Sequence, residues 1–201
     1  IEYAASLGMG FTVTTNGSLV DKKIGRWLYD HRVRLFVKLD SLQPAVHNKL
    51  YGTEDRYRWV DYVVNEATFR IPEGLKDLLT AGYQNHCRRF LRKHLLAVAM
   101  VITRLNLESI PEVVKFCRLC GIGIYMEKLL PVRPVTLLSD IIPSPSEITN
   151  LYSIISHLMD HESKSWLKVR CAFETDPFID VSGNIRFCFG IDRNIGNIRR
   201  M

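Results

Sequence analysis

No apolar run in these 201 residues is long enough to cross a bilayer. The longest, Leu95-Leu96-Ala97-Val98-Ala99-Met100-Val101-Ile102, suits a buried strand. Ile1-Glu2-Tyr3 opens the chain without an initiator methionine or a signal-peptide layout. Cysteine is sparse: five residues, an odd number, with no dense framework. That excludes a disulfide scaffold and predicts a reducing, cytoplasmic setting without membrane association. Internal repeats and low-complexity tracts are also missing.

Nearly half of the residues are hydrophobic, 47%. That supplies one substantial core and excludes global disorder. The net charge is +6, with basic residues at Arg88-Arg89-Phe90-Leu91-Arg92-Lys93 and at Arg193, Arg199 and Arg200. No nucleic-acid module accompanies them, so they read as solvated faces and nucleic acid is not an expected partner.

Strand and helix signals alternate. Strands are expected at Phe11–Thr14, Val33–Leu39, Leu95–Thr103 and Ile122–Met126. Helices are expected at Asp21–His31 (Ile24, Trp27 and Leu28 on one face), Tyr57–Phe69, Leu75–Ala81, Ile110–Cys120 and Ser146–His161. Pro131, Pro134, Pro143 and Pro145 mark a long irregular loop. Strands separated by helices predict a parallel sheet. Polar residues collect at the strands' C-terminal ends: Thr15-Asn16-Gly17, Asp40-Ser41, Asn106 and Glu127. In a βα barrel that edge carries function. Asn and Ser are also common helix caps, and both readings stay open.

Near the C-terminus, Phe178–Val181, Ser182-Gly183-Asn184 and Ile185–Phe187 read as strand, turn, strand. Cys171 and Cys188 bracket this hairpin. They are candidate ligands for a metal or an iron–sulfur cluster, or two buried thiols. Cys117 and Cys120 form a CxxC inside an amphipathic helix, where core packing is the expectation. His31 and His161 fall at helix ends, and His47 follows Asp40.

In order along the chain, these segments resemble the radical S-adenosylmethionine (SAM) enzymes with a SPASM-type C-terminal extension. Thr15-Asn16-Gly17-Ser18-Leu19 resembles that family's third-strand motif. Val37-Lys38-Leu39-Asp40-Ser41-Leu42, with His47 and Leu50-Tyr51-Gly52, resembles the fourth strand and its following loop. Val101–Asn106 is similar to the fifth strand, and Tyr125–Pro131 to the sixth. Cys171-x11-Gly183-x4-Cys188 and Gly196-Asn197-Ile198 are similar to the opening of the SPASM pattern.

The resemblance implies an α/β fold: a partial (β/α) TIM-like barrel of the radical SAM type over residues 1–165. It would hold the third to sixth βα units and a following helix. Residues 166–201 would begin a SPASM-like auxiliary cluster domain with its β-hairpin. The implied cofactors are S-adenosylmethionine and a [4Fe–4S] cluster, with an auxiliary cluster at Cys171 and Cys188. The implied activity is that of an oxidoreductase or maturase using a 5′-deoxyadenosyl radical on a peptide, protein or small molecule. A ferredoxin or flavodoxin would be the reductant.

The resemblance places Thr15, Asn16, Asp40 and Ser41 against SAM or substrate. Asp40 would accept from ribose hydroxyls, and Asn106 would meet a nucleoside edge or carboxylate. Glu127 would meet the methionyl amine or hold a neighbouring loop, and Leu129 and Leu130 would pack on adenine. Lys38 stands where the family often has serine. The cluster-binding CxxxCxxC motif is absent, so the chain is expected to lack the first two βα units and to be inactive alone. The alternatives are a noncatalytic zinc- or iron–sulfur-binding interaction module and an unrelated α/β enzyme.

Overall fold

The computed structural model describes residues 2–52, 57–84, 87–88, 93–128, 140–158, 178–179, 182–186 and 196–200. A four-stranded parallel sheet organises them. Its strands are β1 (Thr12–Thr15), β2 (Arg34–Lys38), β7 (Leu96–Ile102) and β8 (Gly123–Lys128), adjacent in that order. The register aligns Thr14 with Phe36, Lys38 with Ala99, Ala99 with Tyr125, and Val101 with Glu127. This is the expected parallel α/β arrangement. Among the described residues the sheet is open, with β1 and β8 as its edges.

Strand alternation gives the sheet two unlike faces. Leu35, Val37, Leu39, Leu96, Val98, Met100 and Ile102 are buried on one face, beneath the helices. The other face carries Thr12, Thr14, Arg34, Phe36, Lys38, Ala97, Ala99, Val101, Tyr125 and Glu127. Several of these are half-buried or exposed, and none belongs to the core cluster.

Helix α1 (Glu2–Ser6) precedes β1, and α2 (Lys22–Asp30) joins β1 to β2. Asp21 caps α2 by accepting from the Ile24 N–H at 2.7 Å. His31 Nδ1 lies 2.8 Å from the Trp27 carbonyl at its other end. The expected apolar face is shifted: Ile24 is 42% exposed, while Gly25 and Leu28 are buried. Gly25 belongs inside because a Cβ there would press on the Asp77 carbonyl.

The connection from β2 to β7 departs most from expectation. Pro44–Tyr51 forms α3, where the sequence suggested only a loop. Proline suits a first helical turn, and Gly52 closes the helix in the left-handed region at φ 61°. Tyr57–Phe69, expected as a helix, instead contributes to an antiparallel hairpin of β3 (Trp59–Val64) and β4 (Ala67–Pro72). Asn65 and Glu66 both adopt positive φ, as a two-residue primed turn requires. The hairpin buries Val64, Phe69 and Ile71, and the Phe69 ring meets Phe116 edge-on at 5.3 Å.

Helix α4 (Glu73–Leu78) runs into a π-helical turn (Leu79–Tyr83), broken at Gly82. The short pair β5 (Cys87–Arg88) and β6 (Lys93–His94) leads to β7. Helix α5 (Ile110–Leu119) joins β7 to β8, with Pro111 in its first turn as expected. Helix α6 (Pro145–Leu158) opens on a reciprocal capping box. The Ser144 N–H donates to Glu147 at 2.7 Å, and the Glu147 N–H donates to Ser144 Oγ at 3.2 Å. Arg104 clamps Glu147 through Nε and Nη2 at 3.1 and 3.2 Å, holding Glu147 down at a pKa of about 2.

Near the C-terminus, β9 (Phe178–Ile179), β10 (Asn184–Arg186) and β11 (Gly196–Asn197) form a three-stranded sheet, antiparallel throughout. Gly183 precedes β10 with φ 82°. Cys171 and Cys188 lie outside the described residues.

Candidate functional site at the C-terminal sheet edge

The polar residues gathered at the C-terminal ends of the strands divide by what their side chains touch. Thr15 Oγ1 accepts the Gly17 N–H at 3.0 Å. Asn16 Oδ1 accepts the Ser18 N–H at 3.1 Å and the Ser18 hydroxyl at 3.0 Å. Ser41 is fully buried, and its Oγ accepts the Gln43 N–H at 3.0 Å. These are local turn bonds of the kind Asn, Ser and Thr form readily.

Asn106 is fully buried between β2 and β7. Its Nδ2 donates to the Asp40 carbonyl at 2.9 Å and to the Val101 carbonyl at 3.0 Å. Its Oδ1 accepts from the Thr103 N–H at 2.8 Å and the Thr103 hydroxyl at 3.0 Å. All four bonding positions of the amide are thus filled within the protein.

Asp40 lies directly beyond β2 and is 5% exposed. Its Oδ1 accepts the Val101 N–H at 2.7 Å. The Leu39 N–H donates to the Ala99 carbonyl at 3.1 Å, so the carboxylate adds a further rung between the two strands. The Asp40 N–H donates to His47 Nδ1 at 3.3 Å. With Nδ1 accepting, the neutral His47 ring carries its proton on Nε2.

His47 is fully buried, with ring centroids of Tyr51, Tyr57 and Trp59 at 4.7, 4.9 and 5.4 Å. Burial lowers its pKa to about 4, against the opposing pull of the Asp40 charge. Burial raises the Tyr51 hydroxyl far above its usual range, and the Asp40 charge raises it further. The Tyr51–Asp40 contact is electrostatic, because the hydroxyl does not meet hydrogen-bonding geometry. His47 Nε2, Tyr51 Oη and Trp59 Nε1 are buried without a hydrogen-bond partner among the described residues. The sequence singled out His47 by its position after Asp40 and within the fourth-strand resemblance, without assigning it a contact. Its link to Asp40 depends on α3, which the sequence did not suggest.

Lys38 and Glu127 are different again. Both are half-buried on the open face of the sheet, near its C-terminal edge. Neither forms an ion pair or side-chain hydrogen bond among the described residues. They stand on β2 and β8 with β7 between them, so their strands are about 10 Å apart. Strand β8 runs through Glu127 rather than stopping before it.

Leu129, Leu130, Cys171 and Cys188 fall outside the described residues. Among the described residues, no three His, Cys, Asp or Glu side chains gather closely enough to hold a metal ion. Cys117 and Cys120 are free and buried in the helical layer, as core packing predicts. No helix among the described residues is long and apolar enough to cross a membrane.

No family model matches the chain, and no curated protein does. Among solved structures, the chain is similar to the crystal structure of a radical SAM methyltransferase from Sphaerobacter thermophilus. The two share 16% identity with a TM-score of 0.40, over 76% of this chain and 40% of that one. The chain thus spans less than half the length of that structure.

Proposed function

We propose that the protein belongs to a radical SAM/SPASM oxidoreductase or maturase acting on a peptide or small molecule. Residues 1–165 would carry the third to sixth βα units, and 166–201 the start of the auxiliary cluster domain. The observation that carries this proposal is a pair of opposite charges, Lys38 and Glu127, that have no charge partner among the described residues and stand at the C-terminal edge of a parallel sheet. In βα architectures that edge is where ligands bind. Half-buried charges without partners gain most from a ligand that brings the complementary groups.

S-adenosylmethionine brings both groups. Its methionyl carboxylate suits Lys38 and its amine suits Glu127. Asp40, with one oxygen on the Val101 N–H, retains a second oxygen as acceptor for a ribose hydroxyl. Asn106 acts by fixing β2 to β7, since its amide has no bonding position left for a ligand. Thr15, Asn16 and Ser41 shape the turns at the mouth. Leu129 would cover the adenine.

The 201 residues do not furnish the catalytic cluster, because CxxxCxxC is absent. No chemical step is therefore assigned to them beyond binding and orienting. In an enzyme of this class a reduced [4Fe–4S] cluster would supply the electron that cleaves SAM. Cys171 and Cys188, outside the described residues, would contribute two sulfurs toward an auxiliary cluster, with ferredoxin or flavodoxin as reductant.

Isothermal titration with S-adenosylmethionine tests the binding claim. Lys38→Ala and Glu127→Ala should each weaken affinity about tenfold or more, the scale of one charge-assisted hydrogen bond. Unchanged affinity in both variants, or no SAM binding by the wild type at millimolar concentration, would overturn it. Iron and sulfide analysis separates this function from a zinc-binding interaction module, which would carry zinc alone.

A further inference from the structure

We propose that His47 is a positioning residue that sets the spacing between Lys38 and Glu127 by holding Asp40 on Val101. This deepens the SAM-binding proposal and rests on it for its functional consequence. Nothing in the ligand expectations assigns His47 a task, yet it is among the most completely enclosed polar side chains described.

The connection runs through named atoms. His47 Nδ1 accepts the Asp40 N–H at 3.3 Å, which fixes the turn leaving β2. Asp40 Oδ1 then takes the Val101 N–H at 2.7 Å. Val101 is the register partner of Glu127 on β8. Lys38 lies two residues before Asp40 on β2. One side of the candidate site and the other are therefore joined by Asp40 and Val101, and His47 anchors the Asp40 end of that link. Asn106 braces the same junction from the Asp40 and Val101 carbonyls.

The ring is well suited to this task. It is enclosed by Tyr51, Tyr57 and Trp59, whose ring contacts restrict its rotation. It must be uncharged to keep the Nδ1 lone pair, and burial favours the neutral form. A leucine would fill much of the space but offer no acceptor. Asparagine can place Oδ1 near the position of Nδ1 and restore the bond to Asp40.

The test uses His47→Leu and His47→Asn, read by SAM titration and by hydrogen exchange at the Asp40 and Val101 amides. His47→Leu should weaken SAM binding at least tenfold and speed exchange of both amides by a similar factor. His47→Asn should return both readouts to within about threefold of wild type. A general loss of packing would not be rescued by the smaller asparagine. Wild-type affinity and wild-type exchange in His47→Leu would overturn the proposal, as would failure of His47→Asn to rescue either readout. If the wild type does not bind SAM, the ligand proposal fails, while the two amides still decide whether His47 holds Asp40 on Val101.

Discussion

Phe36 and Tyr125 sit on strands that do not touch, yet their rings meet 5.7 Å apart at a 56° tilt. Ala97 and Ala99 on the intervening strand allow this, since Ala97 pairs with Phe36 and Ala99 with Tyr125. Small side chains on β7 leave room above them for the larger rings. The open face therefore has a low floor with an aromatic bridge across it, below the level of Lys38 and Glu127. A double-mutant cycle with Phe36→Ala and Tyr125→Ala should give a coupling of about 0.5–1 kcal/mol in urea melts. Strict additivity would show that the rings do not interact in solution.

Gly74 locks the start of α4 against the loop after β1. A Cβ at residue 74 would overlap the Gly17 carbonyl oxygen and press on that of Val20. These are backbone atoms that cannot swing aside, so Gly74→Ala should cost about 3 kcal/mol or more. Gly10→Ala is the control, because a Cβ there meets nothing within 4 Å and Gly10 has no positive φ. It should change stability by less than about 0.5 kcal/mol. Equal melting temperatures for the two variants would contradict the packing.

Strands β2, β7 and β8 were legible as short apolar runs, and β1, which reads Thr-Val-Thr-Thr, through its β-branched residues and the helical spacing that follows it. The hairpin of β3 and β4 was not. Trp59, Tyr62, Val63 and Ala67 fit a helical spacing, while Val60, Tyr62 and Val64 equally fit alternation along a strand. The turn residues, Asn65-Glu66, lack the glycine that would have decided between them. Helix α3 carries no clear apolar stripe, since its buried residue is the polar His47. At the site, polarity at the strand ends was visible, but its use was not. Asn106 and Asp40 are 66 positions apart, and only the sheet register brings the amide of one to the carbonyl of the other. Thr15, Asn16 and Ser41 form local turn bonds at spacings of two, while the caps of the neighbouring helices fall on Asp21 and Gln43.

Cys117 and Cys120 should be chemically silent in the native protein. Burial pushes the Cys120 thiol up to about 12 and the Cys117 thiol well above its usual value. The thiolate is the reactive form, so both react slowly until the fold opens. Iodoacetamide labelling with peptide mapping should leave both unmodified under native conditions and alkylated in urea. Native labelling at either position would show that α5 does not pack as described.

Asn106 should prove more important to stability than its surface neighbours. Asn106→Ala removes two donors from carbonyls between β2 and β7, and one shared acceptor from Thr103. The expected loss is on the order of 3 kcal/mol, since buried groups are left without partners. Asn106→Asp should be at least as damaging, because an acceptor then faces the two carbonyls. Urea denaturation checks both; a loss below about 1 kcal/mol in each would show that the junction tolerates an open amide site.

Acid should weaken the protein partly through His47. Its pKa falls from the usual 6.5 to about 4 on folding. Between those values the unfolded chain binds a proton that the folded chain excludes, so stability rises with pH across this window. The contribution is fully present above pH 6.5, falls as the pH drops, and is lost near pH 4. Its size is about 3 kcal/mol, because each tenfold loss of proton affinity on folding is worth roughly 1.4 kcal/mol. Other groups titrate in the same range, so the informative quantity is a difference between proteins. Asparagine does not ionise, and His47→Asn should therefore lack this part of the pH dependence. Wild type and variant should differ most in slope between pH 6.5 and 4.5 in urea melts. Parallel stability curves through that range would show that the His47 ring is not held neutral by burial.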